Sequence, residues 1–255
     1  MTGYLDSPPL ALAHRGGSGT AGNAGIENSL AAFAHAYELG YRYLETDVRA
    51  TSDGVVYAVH DAALDRLAGS AETVAGLTAE ALDLQRLDQR EPFARLAALY
   101  KDFPDAHLNI DLKSEDVVEP TCALVRELGA TQRTLLASFS HRRLRRARRL
   151  LPGVATSASA PEVALVKLVP TPLLRLLRLA PVCLQVPVRR RGITVVTHGF
   201  IRKAHALGLQ VHVWTVDDPA EMRRLLDLGV DGIITDRTDL LKDVLVERGT
   251  WKEPS

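Results

Sequence analysis

The 255-residue chain is poor in several things, and each shortage excludes something. It has two cysteines, Cys122 and Cys183, with no CxxC and no Cys/His cluster at metal-ligand spacing. That excludes a zinc ribbon, an iron–sulfur centre and a disulfide-stapled scaffold, and both residues read as buried thiols. Aromatics make up 5% and none interleave with the arginine runs, so no nucleic-acid partner is expected. No stretch reaches the ~18 apolar residues of a membrane span. The N-terminal MTGYLDSPPLALAHRGG lacks a positive region and a long apolar core, so no signal peptide is expected and a cytoplasmic protein is the default. No G-x-G-x-x-G follows the first strand, which speaks against a dinucleotide site. Net charge is also lacking, at 31 residues of each sign, but this conceals an asymmetry. Residues 133–203 hold 15 Lys and Arg against one acid, Glu162.

What is present suits a large core, since 46% of the chain is hydrophobic. Short apolar runs alternate with helical patterns. The run 10–14 leads through HRGG and a small polar loop, 18–25, into a helix that Asn28 or Ser29 caps and Gly40 closes. The loop reads as too small and polar to pack. Strands are expected at 10–14, 41–47, 107–112, 134–138, 154–158, 182–186, 210–216 and 232–236, with helices between them, including one over 91–103. Eight β–α steps in about 255 residues predict a single-domain (β/α)8 TIM barrel over 1–255, with a doubly wound open sheet as the runner-up.

The stretch 41–61, YRYLETDVRATSDGVVYAVHD, adds a β-hairpin extension after the second strand. Asp53-Gly54 read as a two-residue turn would set Arg49 opposite Ala58 and Asp47 opposite His60. Glu45 and Asp47 are two apart and share a face, and carboxylates facing inward need a cation, a proton or water. In a barrel the C-terminal strand ends line the active site. Those ends bring Glu45, Asp47 and Asp111 together with His14, Arg15, His60, Lys113 and Trp214. An all-oxygen set favours one divalent cation, Mg2+ or Ca2+. Two histidines beside it suit proton exchange. Phosphoryl chemistry fits these groups best, and rearrangement through a metal-bound enolate is the chemical alternative.

In order along the chain stand His14-Arg15-Gly16, Glu27-Asn28-Ser29, Glu45-Thr46-Asp47-Val48, Thr51-x-Asp53-Gly54, His60-Asp61, Asn109-Ile110-Asp111-Leu112-Lys113, Ser138-Phe139, Trp214-Thr215-Val216 and the run 229–236, GVDGIITD. The ordered set resembles the glycerophosphodiester phosphodiesterase family across nearly the whole chain. The resemblance implies a TIM barrel that hydrolyses a glycerophosphodiester, or a lysophospholipid, to an alcohol and glycerol phosphate with a divalent cation. It implies Glu45, Asp47 and Asp111 as metal ligands and His14 and His60 as the acid/base pair. Arg15 and Lys113 would contact phosphate, Glu27 would be a further acid at the site, and Trp214 would wall the substrate. Relatedness to phosphoinositide phospholipases C implies attack by a neighbouring hydroxyl through a cyclic phosphate.

The sequence also departs from that pattern. Asp111 stands where the family usually has Glu, Ser29 replaces the usual Thr, and the loop 18–25 is longer and lacks a proline. A non-catalytic barrel that binds phosphodiesters or a lipid surface is therefore the alternative reading. Asp61 is expected to orient its surroundings, and Asp236 to pair with Arg237 or a backbone amide. Residues 141–180 combine the basic run 142–149, read as a solvated face, with an apolar stretch carrying Lys167, Arg175 and Arg178. Apolar residues with interleaved cations suit peripheral contact with a lipid headgroup region, and part of the stretch is expected to overhang the active-site mouth.

Overall fold

The computed structural model describes residues 3–177 and 179–253, so Arg178 lies outside the described residues. Strands form at β1 (Leu10–His14), β2 (Tyr43–Ala50), β3 (Val56–Ala58), β4 (His107–Leu112), β5 (Thr134–Ala137), β6 (Ala155–Thr156), β7 (Cys183–Pro187), β8 (Gln210–Trp214) and β9 (Gly232–Thr235). All but β3 are parallel, in the order β6-β5-β4-β2-β1-β9-β8-β7. The ring closes between β6 and β7. Ser157 bridges Cys183, and the Ala158 N–H donates to the Cys183 carbonyl at 2.9 Å. This closure rules out the open sheet and leaves the expected eight-stranded barrel.

Helices follow the strands because each β–α turn carries its own stop and start signals. Ser29 caps Leu30–Glu38 by accepting from the Ala32 N–H, and Gly229 ends Pro219–Leu228 in the left-handed region at φ +95°. Strand side chains alternate between the helices and the barrel interior. The register stacks the interior in levels: Leu12, Tyr43 and His107 lowest, then His14, Glu45 and Asn109, then Asp47 beside Asp111. Tyr4 closes the lower end, buried edge-on against Tyr43 at 5.6 Å. Among the described residues no helix is long and apolar enough to cross a membrane.

Three expectations are corrected. The hairpin pairs Val48 with Ala58 and Arg49 with Tyr57, one residue off the expected register. The loop has three residues, 52–54. The Gly54 N–H donates to Thr51, Gly54 sits at φ +84°, and the Thr51 N–H donates to Val55. Asp47 therefore receives the Val59 N–H, and His60 comes just after the paired arm. The helix expected over 91–103 begins only at Leu96, because Glu91–Pro92 pairs with Arg86–Leu87 in a two-stranded ribbon. The loop 18–25 does pack. Asn23 is fully buried, its amide donates to the Gly16 and Gly17 carbonyls, and its Oδ1 lies 2.5 Å from His35 Nδ1. Only the start of the apolar stretch after β6 lies at the mouth. Ala160–Leu168 starts there, but Leu174 and Leu177 lie beside Leu5, Val182 and Gln210 at the opposite end of the barrel.

Residues 62–90 build a small second core, in which Tyr57, Val59, Leu64, Leu67, Val74, Leu82 and Phe93 are buried. It clamps the returning hairpin arm against the barrel rim, and so fixes where His60 emerges.

Candidate active site

A cavity of about 210 Å³ opens at the C-terminal ends of the strands. Its two halves differ. Strands β1, β2 and β4 and the hairpin arm supply His14, Arg15, Glu45, Asp47, His60, Asp111 and Lys113. Strands β5 to β9 supply mainly Ala137, Phe139, Ala158, Trp214 and Ile234, with Ser138, Ser157 and Gln185 between them. Phe139 and Trp214 meet edge-to-face at 5.8 Å over this second half. All the expected site residues except Glu27 line the cavity.

The turn after β1 brings His14 and Arg15 to the rim. Arg15 is held at φ +51° by its N–H donating to Glu45 and its carbonyl accepting from Asn28. Gly16 follows at φ +84°, where a Cβ would stand 2.7 Å from the Ala32 carbonyl carbon. Only glycine allows that approach of the turn to the helix start.

Each histidine is held by a carboxylate on Nδ1. His14 Nδ1 lies 2.8 Å from Asp236 Oδ1, and His60 Nδ1 lies 2.6 Å from Asp61 Oδ1. Nε2 of each ring is thus the nitrogen left for a substrate. Burial works against a charge on His14, but Glu45, 3.8 Å away, and the hydrogen bond to Asp236 more than offset it, so its pKa is raised. Burial likewise opposes ionisation of Asp47, but Arg15 and Lys113 overcome it and hold its pKa down. Glu45 has less compensation, and burial pushes it up to about 7. Burial also raises Asp111.

A chain of ion pairs runs behind the charged half. Asp61 accepts from Arg66 Nε at 2.6 Å, and Arg66 grips both oxygens of Glu27 at 2.7 and 2.9 Å. Glu27 accepts from Arg15 Nη1 at 2.9 Å, and Arg15 Nε lies 2.9 Å from Asp47. That last contact is an ion pair without hydrogen-bond alignment, so Asp47 Oδ2 keeps no hydrogen-bond partner among the described residues. Glu27 therefore stands behind Arg15 and not on the cavity wall.

Among the described residues no three His, Cys, Asp or Glu side chains already converge as a ligand set. Asp47 and Asp111 both turn to Lys113 Nζ, at 2.8 and 2.9 Å, so the expected trio with Glu45 is not assembled around one point. The chemistry of the donors nevertheless fits a hard divalent cation. Glu45 Oε2 and Asp47 Oδ2 are buried carboxylate oxygens with no hydrogen-bond partner among the described residues. On the cavity wall three carboxylates, Glu45, Asp47 and Asp111, face two fixed cations, Arg15 and Lys113. A phosphodiester anion would be repelled there unless added positive charge preceded it.

Two residues escaped the sequence reading. Asp236 binds His14 and Ser18, while Arg237 turns to Asp239. Its position at the end of a barrel strand was the available signal. Arg66 lies in the irregular region 62–90, where nothing in the sequence marks it.

The sequence profile of the glycerophosphoryl diester phosphodiesterase family matches residues 14–240. A probable glycerophosphodiester phosphodiesterase 2 of Mycobacterium tuberculosis is 42% identical over 248 residues, covering 95% of this chain and 92% of its own. A glycerophosphodiester phosphodiesterase of Caldanaerobacter subterraneus is 31% identical over 94% of this chain and 98% of its own. The crystal structure of a glycerophosphodiester phosphodiesterase from Agrobacterium tumefaciens superposes with a TM-score of 0.73 at 26% identity, covering 91% of this chain and 98% of that one.

Proposed function

The chain belongs to the glycerophosphoryl diester phosphodiesterase family, and from that premise we propose that it hydrolyses glycerophosphodiesters by two-histidine acid/base catalysis. It is a phosphoric diester hydrolase, which sets aside the non-catalytic alternative. One observation carries the mechanistic reading. His14 and His60, each held through Nδ1 by an aspartate, flank the buried Glu45 and Asp47 at one end of a closed barrel.

Glu45, Asp47 and Asp111 are the residues that would hold a divalent cation. When bound, Mg2+ or Ca2+ would neutralise the phosphodiester and the charge that grows on it. Arg15 and Lys113 supply the fixed positive charge nearest the phosphate. One histidine takes the proton from the glycerol hydroxyl next to the phosphoester, which attacks phosphorus and closes a cyclic phosphate. The P–O bond to the alcohol breaks, and the other histidine delivers its proton to the leaving oxygen. Water then opens the ring with the two roles exchanged, giving glycerol phosphate. Asp61 and Asp236 hold the rings in place, and Glu27 orients Arg15. The apolar half, with Trp214 and the half-exposed Phe139, takes the organic part of the substrate. That wall also favours lysophospholipids, whose chain would leave over Phe139.

The test is coupled detection of glycerol phosphate from glycerophosphocholine, -ethanolamine, -glycerol and -inositol and their lyso forms. His14→Ala and His60→Ala should each lose about 10²–10⁴ in kcat. Turnover unchanged in either variant refutes its role.

A further inference from the structure

We propose that the outer wall of the barrel between residues 167 and 203 docks on an anionic lipid surface, with exposed leucines entering the headgroup region and unpaired cations meeting the lipid charge. This stands apart from the chemistry at the mouth. It begins from charge. The helix His141–Leu150 holds the densest arginine run, yet its arginines are largely spent on the protein itself. Arg142 and Arg143 pair with Glu115, Arg146 with Glu119 and Arg148 with Glu162. Of its six arginines only Arg145 and Arg149 have no carboxylate at ion-pair distance among the described residues.

The next segment differs. Residues 163–216 contain no acid at all. Within it Lys167, Arg175, Arg189, Arg190, Arg191, Arg202 and Lys203 have no carboxylate at ion-pair distance among the described residues. The same wall exposes Leu168 at 79%, Leu173 at 55%, Leu176 at 80%, Leu177 at 50% and Ile193 at 63%. Five of the nine large exposed hydrophobic residues among the described residues thus sit within 26 positions.

The pieces are contiguous. Lys167 Nζ donates to the Thr194 carbonyl, Lys203 Nζ to the Lys167 carbonyl and Arg175 to the Ala206 carbonyl. The patch runs the height of the barrel. Arg189–Arg190 and Ile193–Thr194 form a turn just past the C-terminal end of β7, at the mouth. Leu177 lies at the other end, beside Leu5 and Val182. Docking on this wall would lay the barrel on its side with the mouth at the lipid edge.

Charge and shape select the occupant. Single leucines between cations on short helices suit a fluid, anionic surface better than a fitted protein partner. A second copy would set these cations against themselves. Nucleic acid would want stacking aromatics, and the segment's Phe200 is buried while Trp214 faces the cavity.

Co-sedimentation of the full chain with vesicles tests this. Vesicles of phosphatidylglycerol and phosphatidylcholine should bind it at low salt, and pure phosphatidylcholine should bind it at least tenfold more weakly. Leu173→Glu/Leu176→Glu should cut binding at least tenfold while leaving hydrolysis of a soluble glycerophosphodiester unchanged. Arg189→Glu/Arg190→Glu should do the same. No binding to anionic vesicles at low salt overturns the proposal. So does binding that survives Leu173→Glu/Leu176→Glu, which would mark a site for polyanions in general. A wild-type dimer in vesicle-free ultracentrifugation that the leucine variant dissolves would assign the patch to a second copy and also overturn it.

Discussion

Replacing Asp236 by Asn tests whether the aspartate behind His14 acts through its charge. Asn keeps the volume and leaves an oxygen near His14 Nδ1 and Ser18 Oγ, at present 2.8 and 2.5 Å from Oδ1. Burial opposes ionisation of this carboxylate, but the hydrogen bonds from His14 and Ser18 and the charges of His14 and Arg15 together outweigh it and lower its pKa, so it is the ionised form that is lost. A charge-assisted hydrogen bond is worth roughly 1.5–3 kcal/mol. If that difference falls on the charged ring formed during the reaction, kcat drops about 10- to 150-fold, at 1.4 kcal/mol per decade. The Asp236 side chain is 26% exposed, so folding should change little. The assay is steady-state release of glycerol phosphate, with thermal unfolding as the control. KM should move less than kcat, and in a His14→Ala background the substitution should add almost nothing. A variant within twofold of wild type, or a full loss added to His14→Ala, would refute the claim that Asp236 works through His14.

Other perturbations reach different parts of the account. Arg66→Ala leaves the cavity wall intact but frees both Glu27 and Asp61, and kcat/KM should fall roughly 10-fold or more, as for outer residues that orient functional groups. Arg66→Lys should recover only part of this, because it cannot grip Glu27 through two parallel bonds. Asp111→Asn should raise the Mg2+ or Ca2+ concentration for half-maximal activity ~10- to 100-fold, whereas Asp111→Glu should not; equal values for both exclude Asp111 from the cation. His212 is fully buried, and burial lowers its pKa to about 4. It stays neutral when folded but takes a proton near pH 6.5 when unfolded, so its contribution is intact above that pH and fades as pH falls toward 4. Between pH 8 and 5 the stability of wild type relative to His212→Gln should fall by about 2 kcal/mol in urea titrations; no pH dependence in that difference would contradict the assignment.

Much of this architecture was legible because each β–α step announces itself locally. LALAH, YLETDV and GIIT are short apolar runs bounded by capping residues and glycines, and alternation alone puts Glu45 and Asp47 on one face. What failed was whatever depended on one backbone bond or one distant partner. Asp53-Gly54 suggests a two-residue turn, yet the Thr51 hydroxyl bonds Asp53 and receives the Val55 N–H, and that favours the longer loop. The register shifts by one, and His60 still reaches the cavity because it lies beyond the paired arm. The partnership of Asp236 with His14 spans 222 residues and has no local mark. Arg66 depends on the small core of residues 62–90, whose irregular sequence hides that it packs at all. The convergence of Glu45, Asp47 and Asp111 is readable only as proximity, since Lys113 holds the two aspartates in this arrangement.

Cation dependence tests the central claim most directly. Enzyme stripped with EDTA and passed into metal-free buffer should release no glycerol phosphate from glycerophosphocholine, and Mg2+ or Ca2+ added back should restore turnover. Hydrolysis that continues undiminished in the chelated enzyme would contradict the account.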